Sequence, residues 1–244
     1  MAKFYKTKIK EYPGGSKVLT VYKNALCVDD SIDSENVSYS FSEEKTPEEK
    51  ELEKLRNLWK VRTKIKDYCL SNDFTHFWNL TFDQKVIGDR YDDDRCLKAL
   101  SDWLRNCRLK SKRRGLKFGY IFIPERHKDG ALHFHGLTFG YSDTLVNSGV
   151  KWQGKTVFNC PSWNYGFSDV TLIRDKQKTS NYVTKYITKD LSEQGLGKGK
   201  KKYWSSRGLR LPAVEYSSLD LGTGLEPDYE NDICFVYNIN PSEL

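Results

Sequence analysis

The chain has 244 residues, 38% hydrophobic and 30% charged, a balance that supports a substantial core and excludes a disordered chain. Its net charge of +7 is concentrated in "RLKSKRRGLK" (108–117) and "GKGKKKYWSSRGLR" (197–210), while residues 29–51 lean acidic. Basic runs most often solvate a face, so charge alone admits nucleic acid as a partner without requiring it. No apolar run is long enough to cross a bilayer, the start "MAKFYKTKIK" lacks the apolar stretch of a signal peptide, and the six cysteines include no C-x-x-C pair. The expectation is an intracellular protein with reduced thiols and no membrane partner.

Taken in chain order, residues 1–24 read as a hairpin around "YPGGS", and 25–45 as a polar connection. Thr46-Pro47-Glu48-Glu49 combines a threonine cap, a first-turn proline and a glutamate three residues on, which opens a helix over 47–70. Its apolar stripe is Leu52, Leu55, Leu58/Trp59, Ile65 and Tyr68/Cys69. "FTHFWNLTFD" (74–83) reads as a buried strand. "DDDRCLKALSDWLRNCRLKSKRRG" begins with acids and ends with cations, as the helix dipole favours, and carries a stripe of Leu97, Leu100, Trp103/Leu104 and Cys107. Two strands, "KFGYIFIPE" and "ALHFHGLTFG", flank "RHKDG"; residues 141–167 are expected to form a long loop, 168–174 a strand, and "QKTSNYVTKYITKDLSEQG" a helix. This order predicts an α+β fold, a central antiparallel sheet flanked by helices. The expected organisation is an N-terminal extension (1–45), one catalytic-type domain (46–210) and a C-terminal segment of unassigned role (211–244).

Two of the four histidines stand one residue apart in "ALHFHGL" (131–137). On a strand His133 and His135 share a face, with Leu132, Phe134 and Leu137 assigned to the other. An isolated H-x-H is more often two polar residues on a half-buried strand than a metal site. A three-residue "KDG" loop with a left-handed Gly130 pairs His127 with Ala131 and sets Glu125 opposite His133. A two-residue loop turns Glu125 away. Two imidazoles and a carboxylate suit Mn²⁺ or Mg²⁺ acting on a phosphate; catalytic zinc can use the same set. His127 is a weaker candidate ligand.

Tyr182-Val-Thr-Lys185 and Tyr186-Ile-Thr-Lys189 repeat at four residues, which stacks the tyrosines and the lysines on adjacent helix faces. Such tyrosines usually pack a core, yet a tyrosine hydroxyl can attack a phosphodiester polarised by a metal and held by a cation. Lys198, Lys200, Lys201, Lys202, Tyr203, Trp204 and Arg207 combine phosphate-neutralising cations with rings able to stack on bases, the requirement of a single-strand groove.

"FWNLTFD", "PERHKDGALHFHGL" and "NYVTKYITKD", in this order, resemble the three motifs of HUH endonucleases, specifically rolling-circle replication initiators (Rep proteins) of bacterial plasmids, phages and integrated elements. The resemblance covers about residues 74–190, and its second and third motifs are the specific ones. It implies metal ligands His133, His135 and Glu125, a nucleophile at Tyr182 with Tyr186 second, and Lys185 near the phosphate; Lys189 is read as a DNA-binding residue. It also implies an antiparallel sheet with flanking helices, and nicking and rejoining of single-stranded DNA at an origin through a 5′-phosphotyrosine. The host would be a bacterial cytoplasm supplying helicase and polymerase; "GLGKGKKK" does not fit the G-x-x-x-x-G-K-[ST] phosphate loop. Competing readings are a single-strand transposase or relaxase with the same chemistry, and a non-catalytic single-stranded DNA-binding protein.

Overall fold

The computed structural model describes residues 3–28, 46–193, 201–222 and 224–239, without the side chains of 27, 28 and 185–193. Of the expected connection 25–45, residues 25–28 belong to a strand and 29–45 lie outside the described residues, as do Lys198 and Lys200. The elements run β1 (Lys3–Glu11), β2 (Lys17–Val28), α1 (Pro47–Ser71), β3 (His76–Thr81), α2 (Gln84–Ile87), α3 (Asp93–Arg113), β4 (Gly119–Arg126) and β5 (Leu132–Phe139). They continue with β6 (Val146–Trp152), β7 (Lys155–Asn159), β8 (Ser168–Leu172), α4 (Lys176–Glu193), β9 (Trp204–Ser205), β10 (Ala213–Ser217), β11 (Tyr229–Glu230) and β12 (Cys234–Ile239). The fold is α+β with antiparallel sheets.

The chain divides into two compact units, residues 1–50 with 211–244, and residues 51–210. In the first, five strands are ordered β10-β1-β2-β12-β11 around a small core of Leu19, Val21 and Tyr237. The predicted hairpin turns through Gly14 (φ 101°) and Gly15 (φ 86°), a backbone that glycine adopts without a Cβ penalty. Strands from the C-terminal segment complete this sheet.

The second unit is built on seven described strands ordered β6-β7-β8-β3-β5-β4-β9. The α3 helix covers one face. Its cap is Asp92, whose carboxylate accepts from the Arg95 amide, and its buried stripe includes Leu100, Trp103, Leu104 and Cys107. This stripe joins Trp78, Leu80, Phe122, Leu132, Phe134 and Trp163 in one core. The opposite face holds a second cluster, in which Leu58, Ile65 and Cys69 of α1 and Val183 of α4 meet Phe77, Ile121, Ile123 and Leu137. Leu137 therefore lies on the histidine side rather than with Leu132 and Phe134, as the two-residue period from His135 requires.

Two other expectations change. The α1 helix has the predicted capping box, with the Glu49 amide donating to Thr46 Oγ1 (3.2 Å) and the Thr46 amide to Glu49 Oε2 (2.9 Å). Its burial begins only at Leu58, however, and Leu52, Leu55 and Trp59 are exposed. Residues 141–167 contain the β6–β7 hairpin rather than one long loop. Its turn, Gln153-Gly154, has positive φ at both positions (48° and 73°), the type I′ geometry that Asn-Gly announces and Gln-Gly does not.

Candidate metal centre

Gly130 is left-handed (φ 88°), the His127 amide donates to the Ala131 carbonyl, and Glu125 pairs with His133, the register of a three-residue turn. That register carries Glu125 to the face already occupied by His133 and His135. On the next strand Asn79 pairs with His135 and Thr81 with His133, and Asp169 of β8 pairs in turn with Asn79. On the far face, the Phe122 ring lies where a Cβ on Gly136 would stand, so glycine at this position lets the two strands and their rings pack closely.

Three donor atoms converge. Glu125 Oε2 is 2.5 Å from His135 Nε2 and 2.9 Å from His133 Nε2, and the two Nε2 atoms are 3.1 Å apart. Both histidines are 7% exposed, and Glu125 is half-buried. Asn79 Oδ1 lies 2.5 Å from His135 Nδ1. An Nδ1–H donated to that oxygen leaves the Nε2 lone pair facing the carboxylate. Lone pairs that converge in a buried site repel unless a proton or a cation lies between them. A cation about 2.0–2.2 Å from each donor would set donors at right angles roughly 3 Å apart, the scale of this triangle. The residues fit a divalent ion, and Glu125, His133 and His135 could hold one.

The electrostatics agree. With a proton rather than a cation between the donors, hydrogen bonds and charge from His133 and His135 outweigh the burial that alone would raise the Glu125 carboxyl, and hold it well below the usual carboxylate range. Burial lowers the His135 pKa, which favours the neutral imidazole that can coordinate. His127, also lowered chiefly by burial, stacks on His133 with ring centroids 4.0 Å apart and is not part of the ligand triangle.

Tyr182 reaches the same side of the sheet. The Phe77 ring stacks on His135 (6.0 Å) and meets Tyr182 edge-on (5.4 Å), so one phenyl ring touches both a ligand and the candidate nucleophile. Lys185, Tyr186 and Lys189 are on α4, with side chains outside the described residues. The described part of the basic aromatic segment divides between the two faces. Trp204 pairs with Phe122 and rests on Phe134 (5.9 Å), on the α3 side of the sheet, and Tyr203 packs with the α1 cluster. Lys201 and Arg207 are exposed and Lys202 is half-buried. Sequence reasoning missed Phe77, Asn79 and Asp169. The alternation of "HFWNLTF" could have placed Asn79 on the face of a buried strand, but only the β3–β5 register puts it against His135.

No helix among the described residues is long and apolar enough to cross a membrane. No curated protein and no solved structure matches the chain. Residues 75–191, from the start of β3 through the body of α4, match the model of a family described as replication-associated protein ORF2. The segment carrying the donor triangle and Tyr182 is thus similar to replication-associated proteins, which supports a Rep-like initiator family, DNA replication as its setting and DNA as its partner.

Proposed function

We propose that the protein is an HUH-type endonuclease that nicks and rejoins single-stranded DNA at a replication origin, with residues 46–210 as the catalytic domain. The observation that carries this reading is the Glu125–His133–His135 triangle with Tyr182 one ring away across Phe77. A bound Mn²⁺ or Mg²⁺ would supply Lewis acidity toward a phosphate oxygen. Glu125 and the two imidazoles hold the site, and Asn79 fixes the tautomer and orientation of His135. The Tyr182 oxygen attacks phosphorus and forms the new P–O bond as the bond to the 3′ oxygen breaks. The phenolic proton is lost and the leaving oxygen gains one, giving a 5′-phosphotyrosine and a free 3′-OH for a polymerase. Because one phosphodiester replaces another, the reverse step rejoins ends without a nucleotide cofactor. Lys185, one turn beyond Tyr182, is assigned to the phosphate, and Tyr186 is the second-choice nucleophile. Strand separation falls to a helicase of the bacterial host cytoplasm.

Incubation with Mn²⁺ and single-stranded origin oligonucleotides should give a protein–DNA adduct that survives denaturation. His133→Ala should abolish it while sparing DNA binding. No adduct on any strand of the parent element, with binding intact, would leave a non-catalytic DNA-binding protein.

A further inference from the structure

Beside Tyr182 the β6–β7 hairpin and α4 enclose a cavity of about 370 Å³, within the range of about 300–1,000 Å³ typical of small-ligand sites. Its walls include the rings of Phe77, Trp152 and Tyr182 and the cations Lys155, Arg174 and Lys178. A second cavity of about 450 Å³ shares Phe77, Trp152, Thr171 and Tyr182 and extends to Asn79, the residue that holds His135. Together they form one groove that leads from Asn79, beside His135, past Tyr182 to a group of cations.

The hairpin delivers a ring and a charge as a unit. Trp152 and Lys155 are a cross-strand pair closing the Gln153-Gly154 turn, so their side chains leave the sheet on the same side. Trp152 is 40% exposed, with its ring 6.0 Å from that of Tyr182. Lys155 is half-buried, and neither it nor Arg174 has a carboxylate partner among the described residues, whereas Lys178 lies 3.7 Å from Asp175. A half-buried cation without a counter-charge, beside an open aromatic wall, suits an anion joined to a flat ring.

We propose that this groove binds the unpaired nucleotide next to the scissile phosphate, with its base stacked on Trp152 and its phosphate held by Lys155 and Arg174. The inference rests on the nicking reading for the word scissile, and on the hairpin geometry for the rest. Stacking on Trp152 fixes the strand's path, so that the adjoining phosphate is presented between Tyr182 and the donor triangle.

The test uses the full chain, fluorescein-labelled oligothymidylate and EDTA, with fluorescence anisotropy as the readout. Trp152→Ala should weaken binding by about 5- to 150-fold, the range of one lost base stack, and Trp152→Phe should restore most of it. Lys155→Ala with Arg174→Ala should flatten the slope of log affinity against log salt by about 0.7, since the two cations hold one phosphate and each neutralised single-strand phosphate contributes roughly that much. Wild-type affinity in Trp152→Ala, or an unchanged salt slope in the double variant, overturns the subsite even if the parent protein forms the covalent adduct. If the parent forms no adduct but binding still depends on Trp152, the nicking reading fails and the nucleotide site stands.

Discussion

The two faces of the seven-stranded sheet are made by the same strands and do opposite work. From β5, Leu132, Phe134 and Gly136 go to the α3 side, where Trp103 packs against Trp78 (5.2 Å), Trp163 (5.5 Å) and Phe122 (5.9 Å). The residues between them, His133 and His135, go to the other side and meet Glu125 and Asn79, with Tyr182 beyond Phe77. One face is a close-packed aromatic core whose polar atoms are satisfied locally, as in the bond from Trp78 Nε1 to Thr138 Oγ1 (2.8 Å). The other keeps three electron-pair donors close together at a cost that only a cation or a proton offsets. The aromatic face makes the polar one possible, because a one-residue slip of β5 would exchange the two sets of side chains.

If the faces divide the labour this way, substitutions should separate stability from metal binding. Trp103→Ala, a truncation of a side chain 2% exposed, should cost about 3–5 kcal/mol in urea unfolding and leave Mn²⁺ affinity of the folded protein unchanged. A parallel loss of Mn²⁺ affinity in the folded fraction would break the division. Asn79→Ala should do the reverse, lowering Mn²⁺ affinity or nicking by about 10–100-fold with little effect on unfolding. A variant with parental affinity would remove Asn79 from its role as the orienter of His135.

The smallest effect concerns acid. Burial lowers the His135 pKa, so the folded state disfavours its proton. Its contribution to stability is present above about 6.5 and is lost as pH falls from there through the folded value. Glu125 is also lowered in the folded state, which puts a second loss below about 4.5. In metal-free protein, His135→Gln should flatten the upper part of the unfolding free-energy profile and also shrink the lower loss, because it removes one of the partners that lower Glu125. A profile unchanged by the substitution would mean that His135 is as easily protonated folded as unfolded.

Much of this site was legible because its signals are local. "KDG" sets the turn, the turn sets the register, and the register sets Glu125 against His133; each step involves residues within ten positions of one another. The capping box at Thr46 and Glu49 was equally readable. The nucleotide groove was not, because it depends on pairings distant in the chain and on a hairpin whose Ser, Asn and Gly residues dilute the strand pattern. Its Gln153-Gly154 turn lacks the usual asparagine signal. The aromatic segment at Tyr203 and Trp204 could be read by composition but not by placement: the short β9 strand rests Trp204 on Phe134, while Tyr203 packs with the cluster that includes Phe77 and Tyr182.

The most direct test of the tyrosine chemistry is to digest the covalent protein–DNA product and locate the nucleotide-bearing peptide by mass spectrometry. The account predicts one phosphodiester-linked nucleotide on Tyr182, and at least about a 10³-fold loss of adduct in Tyr182→Phe. A nucleotide carried by Tyr186 alone, or by any residue outside α4, would contradict it.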